Sequence, residues 1–131
     1  MTVSTSEFAF ALIAVFEGCK LKAYKDTGGI ITIGLGHTGP DVTEGMVITQ
    51  EQALALFAKD AAPLLALVPM EPKTRSAALV SFGYNCGMKA MKKAMVDIRE
   101  IDDPRHCTDR KGNVLAGLVS RRRLESTLCK I

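Results

Sequence analysis

The chain has 131 residues, of which 47% are hydrophobic and 24% are charged, and its net charge is +3. This length and composition suit one globular domain with a modest core and exclude a disordered chain. The small positive charge, with two tyrosines and no tryptophan, argues against a nucleic-acid-binding protein, which needs a basic surface and aromatic rings that stack on bases.

The first predicted element is a helix that carries the longest apolar run of the chain. Ser4 and Ser6 are candidate N-caps, and Glu7 follows Ser4 at the spacing of a capping box. The apolar run from Phe8 to Phe16 has nine residues, whereas a membrane-spanning helix needs about 20. We therefore expect a buried helix face that stops at Gly18, and no stable membrane insertion.

The next stretch, Lys20 to Ile33, is typical of a β-hairpin. Apolar residues alternate imperfectly along it, and Thr27-Gly28-Gly29 marks a turn. A third short strand is predicted through Gly34-Leu35-Gly36-His37, where the glycines indicate a sharply twisted backbone.

A connector helix is predicted to begin at Thr49, which forms a second capping box with Gln52. Its apolar residues recur at helical spacing at Leu54, Phe57, Ala61, Leu64 and Val68. Pro63 interrupts this pattern, because proline kinks or ends a helix. The sequence allows either a bent connector or two short helices.

The rest of the chain is predicted to be helical, with irregular joints. Pro72 suits the first position of a helix, Asp102 to Asn113 is predicted to be a loop, and Gly117 to Leu128 is predicted to form the closing helix. Two apolar sets are expected in the core, namely Met88, Met91, Met95 and Ile98, and then Leu118, Leu124 and Leu128 of the closing helix.

This order of elements predicts an α+β fold with two lobes. We expect a small antiparallel sheet in the N-terminal lobe, at about residues 18–48, and a connector at about 49–68. A helical lobe would follow at about 72–131 and include the N-terminal helix. A cleft between such lobes is a common place for a ligand.

The four cysteines, Cys19, Cys86, Cys107 and Cys129, form no C-x-x-C pair and allow three pairings if all are bridged. Buried free thiols fit this spacing, and disulfide bridges fit it if the protein works outside the cytoplasm. A metal held by His106, Cys107 and Cys129 is the weakest alternative, because structural zinc sites draw on close ligand pairs. We expect no metal and no cofactor.

Three polar residues near the hairpin suggest glycosidic bond cleavage, which needs a proton donor and a carboxylate that activates water. Glu17 ends the apolar helix, where partial burial would raise its pKa and keep a proton available. Asp26 stands beside the turn, a wetter place for an ionised base, and the hydroxyl of Thr32 could hold the same water. Each has an ordinary alternative, as a helix-end acid, a turn residue or a strand residue respectively.

The motifs FEGCKLKAYKDTGGIITIGLGHTG and GMVITQEQA, starting at Phe16 and Gly45, resemble the phage-type lysozymes, the endolysins of glycoside hydrolase family 24. LVSFGYNCG and GLVSRR, further along the chain, are similar to later motifs of that family. The resemblance implies a two-lobed lysozyme fold and a muramidase that cleaves the β-1,4 bond between N-acetylmuramic acid and N-acetylglucosamine with inversion. It assigns the family's acid, acid and threonine to Glu17, Asp26 and Thr32.

The same resemblance implies supporting roles outside the catalytic group. His37 would pair with Asp60 on the connector, as a structural contact, and Arg121 would lie close to Glu17 and tune its pKa. For Arg122 and Arg123 we expect a solvated basic helix face that attracts the anionic cell wall.

The chain departs from the family pattern in its second half. The connector looks short, the stretch between Gly87 and Gly112 looks contracted, and the family's tryptophan is missing. These differences leave an alternative open, a lysozyme-derived module that binds cell wall without turnover. A secreted effector against rival bacteria would share the chemistry and differ only in delivery.

The expected partner is bacterial peptidoglycan, and we expect a monomer. The N-terminal sequence MTVSTSEF lacks the basic region that precedes the apolar run of a secretory signal. We therefore expect synthesis in the host cytoplasm, without a signal peptide, and action on the cell wall in the periplasm after release.

Overall fold

The computed structural model describes residues 2–131, and these form an α+β fold as predicted. The helices are α1 (Thr5–Glu17), α2 (Gln50–Asp60), α3 (Ala62–Leu65), α4 (Lys73–Cys86), α5 (Met88–Val96) and α6 (Ala116–Cys129). Two strands, β1 (Lys20–Lys25) and β2 (Ile31–Gly34), pair as an antiparallel sheet, and short 3-10 helices cover Ile98–Asp102 and Pro104–Cys107. No helix within residues 2–131 is both long enough and apolar enough to span a membrane.

Both predicted capping boxes are confirmed. The hydroxyl of Ser4 accepts a hydrogen bond from the Glu7 amide at 3.0 Å, and the Glu7 side chain accepts one from the Ser4 amide at 3.2 Å. Thr49 and Gln52 make the same exchange at the start of α2, at 3.1 and 2.8 Å. The C-terminus of α1 is set by Gly18, whose φ of 72° suits glycine and turns the chain away from the helix.

The predicted hairpin is confirmed, but the third strand is not. Tyr24 pairs with Thr32 and Lys25 with Ile31, with an irregularity nearer the start of β1. Residues 34–37 instead make a tight turn that brings Ile33 and His37 into a single bridge. Positive φ values at two glycines close this turn before a strand can extend. The other edge of β1 makes a single bridge, from Lys22 to Val47.

The connector forms two short helices, one of the two forms that the sequence allowed. Helix α2 ends at Asp60, and α3 carries Pro63 in its first turn. A proline is tolerated there because amides of the first turn have no partner within the helix. Asp60 therefore lies at the end of α2, next to the break.

Helix α4 is the centre of the fold and packs against α1, α5 and α6. Eight successive residues, 76–83, are buried on it. At Gly83 an added Cβ would lie 2.7 Å from Sδ of Met91, so glycine allows α5 to approach closely. The predicted core role of the methionine stripe is confirmed, because Met91 is fully buried and Met88 and Met95 pack against the core.

Three predictions for the second half were wrong in detail. Pro72 is the N-cap of α4, and the helix begins one residue later. The predicted loop from Asp102 contains the 3-10 helix Pro104–Cys107, whose start is capped by the Asp103 carboxylate at 2.9 Å from the Arg105 amide. Leu124 of α6 is 38% exposed rather than buried.

The buried face of α6 is mostly polar and includes Arg122, so the prediction of a solvated position for Arg122 is wrong. Its members are Arg121, Arg122, Glu125, Ser126 and Cys129. The four cysteines carry free thiols, and Cys129 is the buried one. The division of the chain into a sheet lobe, a connector and a helical lobe at the boundaries given above stays a prediction.

Candidate active site

Glu17 is the last residue of α1, and about a third of its side chain, 35%, is exposed. Its Oε1 lies 3.5 Å from Nη1 of Arg121, which reaches it from α6. Burial raises the pKa of Glu17, and the nearby Arg121 charge opposes that increase. Because the increase prevails, this carboxyl group holds its proton to a higher pH than an exposed glutamate, as a general acid requires.

Asp26 follows β1 at the start of the hairpin turn. Its Oδ1 accepts hydrogen bonds from the Gly28 and Ile30 amides at 2.8 and 2.9 Å. The role of a turn residue, which the sequence also allowed, is therefore realised at Oδ1. No hydrogen bond from residues 2–131 reaches Oδ2, so this oxygen is free to accept one from a water.

Thr32 lies on β2 directly across from Tyr24 and is 3% exposed. Its hydroxyl donates to the Ile30 carbonyl at 2.9 Å. The Asp26 amide donates to the same carbonyl, also at 2.9 Å. The fold thus brings Asp26 and Thr32 together through the backbone of Ile30, and the hydroxyl oxygen of Thr32 can still accept a hydrogen bond.

Glu17 and Arg121 line a cavity of about 360 Å³ between α1, the end of α4 and the start of α6. Apolar side chains form part of its wall, at Val15, Phe16, Leu115 and Leu118, and Asn85 and Ser120 contribute polar groups. Asp26 lies outside this lining. The cavity thus includes only one of the two candidate carboxylates. Along the sequence, β1 separates them, with Glu17 before the strand and Asp26 after it.

His37 lies between two carboxylates and is 7% exposed. Its Nδ1 is 2.5 Å from Oδ2 of Asp60, and its Nε2 is 2.9 Å from Oδ2 of Asp41. The contact with Asp60 is the one that the family resemblance implied, and Asp41 was not anticipated. The ring joins the end of α2 to the segment that follows β2.

Arg121 belongs to a buried network, in which it is 2% exposed. Its Nη2 donates to the Ser81 carbonyl at 3.0 Å, and its Nε donates to Oε2 of Glu125 at 3.3 Å. The Ser81 hydroxyl donates to the same Oε2 at 2.5 Å. These contacts hold the guanidinium group between Glu17 on one side and Glu125 on the other.

Arg122 lies on the other side of Glu125, with its Nε 2.9 Å from Oε1 at an angle outside the range of a hydrogen bond. Its Nη2 donates to Oδ1 of Asn85 at 2.7 Å, and its guanidinium group lies over the Phe82 ring at 5.1 Å. The expected solvated basic face therefore does not include Arg122, because α4 supplies partners that remove it from water.

Sequence reasoning missed Glu125, Ser81 and Tyr84. Glu125 could have been noticed, because it follows Arg121 by four positions and Arg122 by three, a spacing at which helical charges meet. Tyr84 and Ser81 lie in the motif LVSFGYNCG, which marks the segment but not their partners. The Tyr84 hydroxyl donates to the Leu35 carbonyl at 2.6 Å and so joins α4 to the turn after β2.

No group of three or more metal-ligating side chains is found within the described part of the chain. The charged residues and the histidine described above are two glutamates, three aspartates, two arginines and His37, and they form separate groups of contacts. What this arrangement can do chemically is donate a proton at Glu17 and accept one at Asp26.

A sequence profile of the phage lysozyme family matches residues 14–125, which include Glu17, Asp26, His37, Arg121 and Glu125. The SAR-endolysin of bacteriophage PS34 is 32% identical over 86% of this chain and 75% of that protein. The profile match covers the hairpin, the connector, α4 and α5 in full, together with the last turn of α1 and most of α6.

Solved structures give the same result. An endolysin from Escherichia coli O157:H7 phage FAHEc1 superposes with a TM-score of 0.74 at 31% identity, over 98% of this chain and 94% of that one. The muramidase domain of SpmX from Asticaccaulis excentricus superposes with a TM-score of 0.73 at 29% identity, over 94% of this chain and 95% of that one. With the profile match and the site geometry, these similarities establish that the chain belongs to the phage lysozyme family.

Proposed function

We propose that Glu17 and Asp26 are the catalytic pair of this chain, which as a phage lysozyme is a peptidoglycan-hydrolysing muramidase. The bond cleaved is the β-1,4 linkage between N-acetylmuramic acid and N-acetylglucosamine. The observation that carries the proposal is the position of Glu17, at the end of a buried helix, beside a cavity and held by Arg121.

Glu17 acts as the general acid. In its protonated form it donates to the glycosidic oxygen as the bond to the anomeric carbon breaks, which makes the leaving group a neutral alcohol. Burial supports this role, because it raises the pKa of Glu17 and keeps the proton available at a pH where an exposed glutamate would have lost it.

Asp26 acts as the general base. Its Oδ1 is fixed by two backbone amides, so Oδ2 is the oxygen that can orient a water and take its proton. Thr32 assists by accepting a hydrogen bond from the same water, since Ile30 holds both residues in one hairpin. Attack by this water from the face opposite the leaving group inverts the configuration at the anomeric carbon. In the substrate complex we expect the two carboxyl groups to lie about 6.5–9.5 Å apart, with room for one water.

Arg121, His37 and Asp60 have supporting roles in this proposal. Arg121 fixes the direction of the Glu17 carboxyl group from a buried position. His37 and Asp60 join the hairpin segment to α2 and so stabilise the surroundings of Asp26 and Thr32.

We further propose that the chain acts as a monomer and reaches the wall after release from the cytoplasm.

The experiment is digestion of purified peptidoglycan by the wild-type chain, by Glu17→Gln and by Asp26→Asn, followed as release of reducing sugar. A lost general acid or base costs about 10²–10⁴-fold in rate, so we expect both variants to fall into that range. Circular dichroism and co-sedimentation with insoluble wall show whether the variants stay folded and bound.

The alternative, a wall-binding module without turnover, gives a different pattern. Such a module would sediment with the wall and release no sugar even as wild type. Lysis undiminished by Glu17→Gln would show that another group donates the proton. For Asp26→Asn, equal losses in binding and turnover would count against a base.

A further inference from the structure

The contacts of Arg121 form a continuous chain of alternating charge through the interior of the protein. In order, the side chains are Arg122, Glu125, Arg121 and Glu17. The first three are 2%, 0% and 2% exposed, so water screens the interactions between their charges very little. Glu17 and Arg121 line the cavity, whereas Glu125 and Arg122 are not part of its lining.

The net charge of this series of four side chains depends on Glu125. Two buried guanidinium groups face one buried carboxylate, which leaves a single positive charge to be shared with Glu17. Without the negative charge of Glu125, both arginines would act on Glu17 unopposed, and an acid near such a cluster loses its proton readily. The negative charge of Glu125 therefore offsets the effect of the arginines, which would otherwise lower the pKa of Glu17 and make it a poor proton donor.

The surrounding contacts indicate that Glu125 is ionised. The Ser81 hydroxyl and Nε of Arg121 both donate to its Oε2, and Nη2 of Arg121 also reaches the Ser81 oxygen, at 3.3 Å. The serine hydroxyl then donates to Oε2, and the two guanidinium groups whose Nε atoms lie 3.3 and 2.9 Å from the carboxyl oxygens favour the ionised form of Glu125. Burial raises the pKa of Glu125, and Arg122, Ser81 and Arg121 oppose that effect.

We propose that Glu125 is a positioning residue for the reaction, which fixes Arg121 and keeps Glu17 in its proton-bearing form. This inference rests on the proposed function, because it assumes that Glu17 is the general acid. Glu125 lies behind Arg121 and reaches neither the cavity lining nor Glu17, so its effect passes through the arginine.

The other titratable groups around this chain of charges are few. Glu17 is influenced by Arg121 and Arg122 from α6, and Tyr84 of α4 lies close enough for the Glu17 charge to raise its pKa. Glu125 has the Cys86 and Cys129 thiols nearby, whose pKa values are raised mainly by burial and further by the Glu125 charge. All three neighbours are neutral near pH 7, so the two arginines dominate.

The test is the pH dependence of kcat/KM for Glu125→Gln on soluble peptidoglycan fragments, whose alkaline limb reports loss of the general acid's proton. We expect the alkaline limb to move to lower pH by about one unit, the smaller end of the effect of a neighbouring charge. Arg121→Gln should move it in the opposite direction, because it removes a positive charge beside Glu17. Glu51→Gln, an exposed change of the same type on α2, should leave the limb in place.

A purely structural role for Glu125 would lower turnover at every pH without moving the limb, and that result overturns the inference. If Glu125→Gln does not fold, Arg121→Gln and Glu125→Asp carry the test. Glu125→Asp keeps the charge but withdraws it by one methylene, so a smaller shift to lower pH is expected, and an unmoved limb in the variants that fold overturns the inference. Carboxyl NMR titration of Glu17 gives the same answer without activity.

The failure of the inference can be told apart from failure of the proposed function. An active wild type with an inactive Glu17→Gln, together with an unmoved limb in the Glu125 and Arg121 variants, rejects only the role of Glu125. Activity that survives Glu17→Gln rejects the assignment of Glu17, and with it the premise used here.

Discussion

Both ring nitrogens of His37 face carboxylates, so the proton on this ring joins the turn after β2 to the end of α2. Burial acts against the charged ring, but the hydrogen bonds to Asp60 and Asp41 outweigh it and raise the pKa of His37. The folded protein therefore binds this proton more tightly than the unfolded chain, in which the pKa of histidine is about 6.5.

Because the pKa of His37 is raised in the folded state, the stability of the fold depends on pH. The stabilisation by His37 is complete below the unfolded pKa and is lost as pH rises through the higher pKa of the folded state. On the acid side the hydrogen bond from His37 lowers the pKa of Asp41, so the contribution fades only as pH falls through that lowered value. The contacts of His37 with Asp41 and Asp60 therefore stabilise the fold most at mildly acid pH.

We predict that His37→Asn lowers the free energy of unfolding by about 1.5–3 kcal/mol at about pH 5.5, the range for hydrogen bonds to charged groups. At about pH 9 the cost should be smaller, because the wild-type ring has then lost its proton. Urea unfolding at both pH values measures the difference. Asp41→Asn is the matched control, since it should lower the pKa of the ring while keeping Asp60 in contact. A cost that does not change with pH would contradict the argument.

The candidate catalytic residues were accessible from the sequence, and the residues that support them were not. Glu17, Asp26 and Thr32 lie within one hairpin and its flanks, so their spacing along the chain is close to their arrangement in space. Glu125 reaches Glu17 only through Arg121 and the packing of α6 on α4. A helical pattern of charges shows a pair, but it cannot show which helix covers it.

Local signals predicted the elements well wherever the elements depend on local contacts. The capping boxes at Ser4 and Thr49 and the break at Pro63 involve residues within four positions of each other. The third strand failed because glycines at positive φ close a turn too early. In α6 the apolar periodicity favoured Leu124, but buried ion pairs replaced apolar contacts on that face.

At the scale of one helix, Thr49 tests how much α2 depends on its cap. Thr49 is exposed, so removing its hydroxyl changes the hydrogen bond to the Gln52 amide and little else. We predict that Thr49→Ala lowers the free energy of unfolding by about 1 kcal/mol. Thr49→Ser keeps the hydroxyl and should stay within a few tenths of a kcal/mol of wild type. Urea unfolding near neutral pH compares them, and equal stability of the two variants would rule out the cap as a source of stability.

At the scale of the whole molecule, a row of aromatic rings joins three helices and ends in a hydrogen bond to the turn after β2. Phe10 of α1 packs on Phe57 of α2 with ring centres 5.8 Å apart, and Phe57 packs on Tyr84 of α4 at 5.2 Å. The Tyr84 hydroxyl then donates to the Leu35 carbonyl in the turn after β2. Burial raises the pKa of Tyr84, with further increases from Asp60 and Glu17, so this hydroxyl stays a donor at any working pH.

This link connects the helix that packs behind Glu17 to the hairpin that carries Asp26 and Thr32. We predict that Tyr84→Phe lowers the free energy of unfolding by about 1–3 kcal/mol, because it leaves a partly buried carbonyl without its donor. It should also reduce sugar release from peptidoglycan more than wall binding, since the hairpin loses a contact that fixes its position relative to α4. Tyr24→Phe is the control for stability, because the Tyr24 hydroxyl makes no hydrogen bond to residues 2–131. If both phenylalanine variants unfold at the same urea concentration, the hydrogen bond from Tyr84 to the Leu35 carbonyl adds nothing to the stability of the fold.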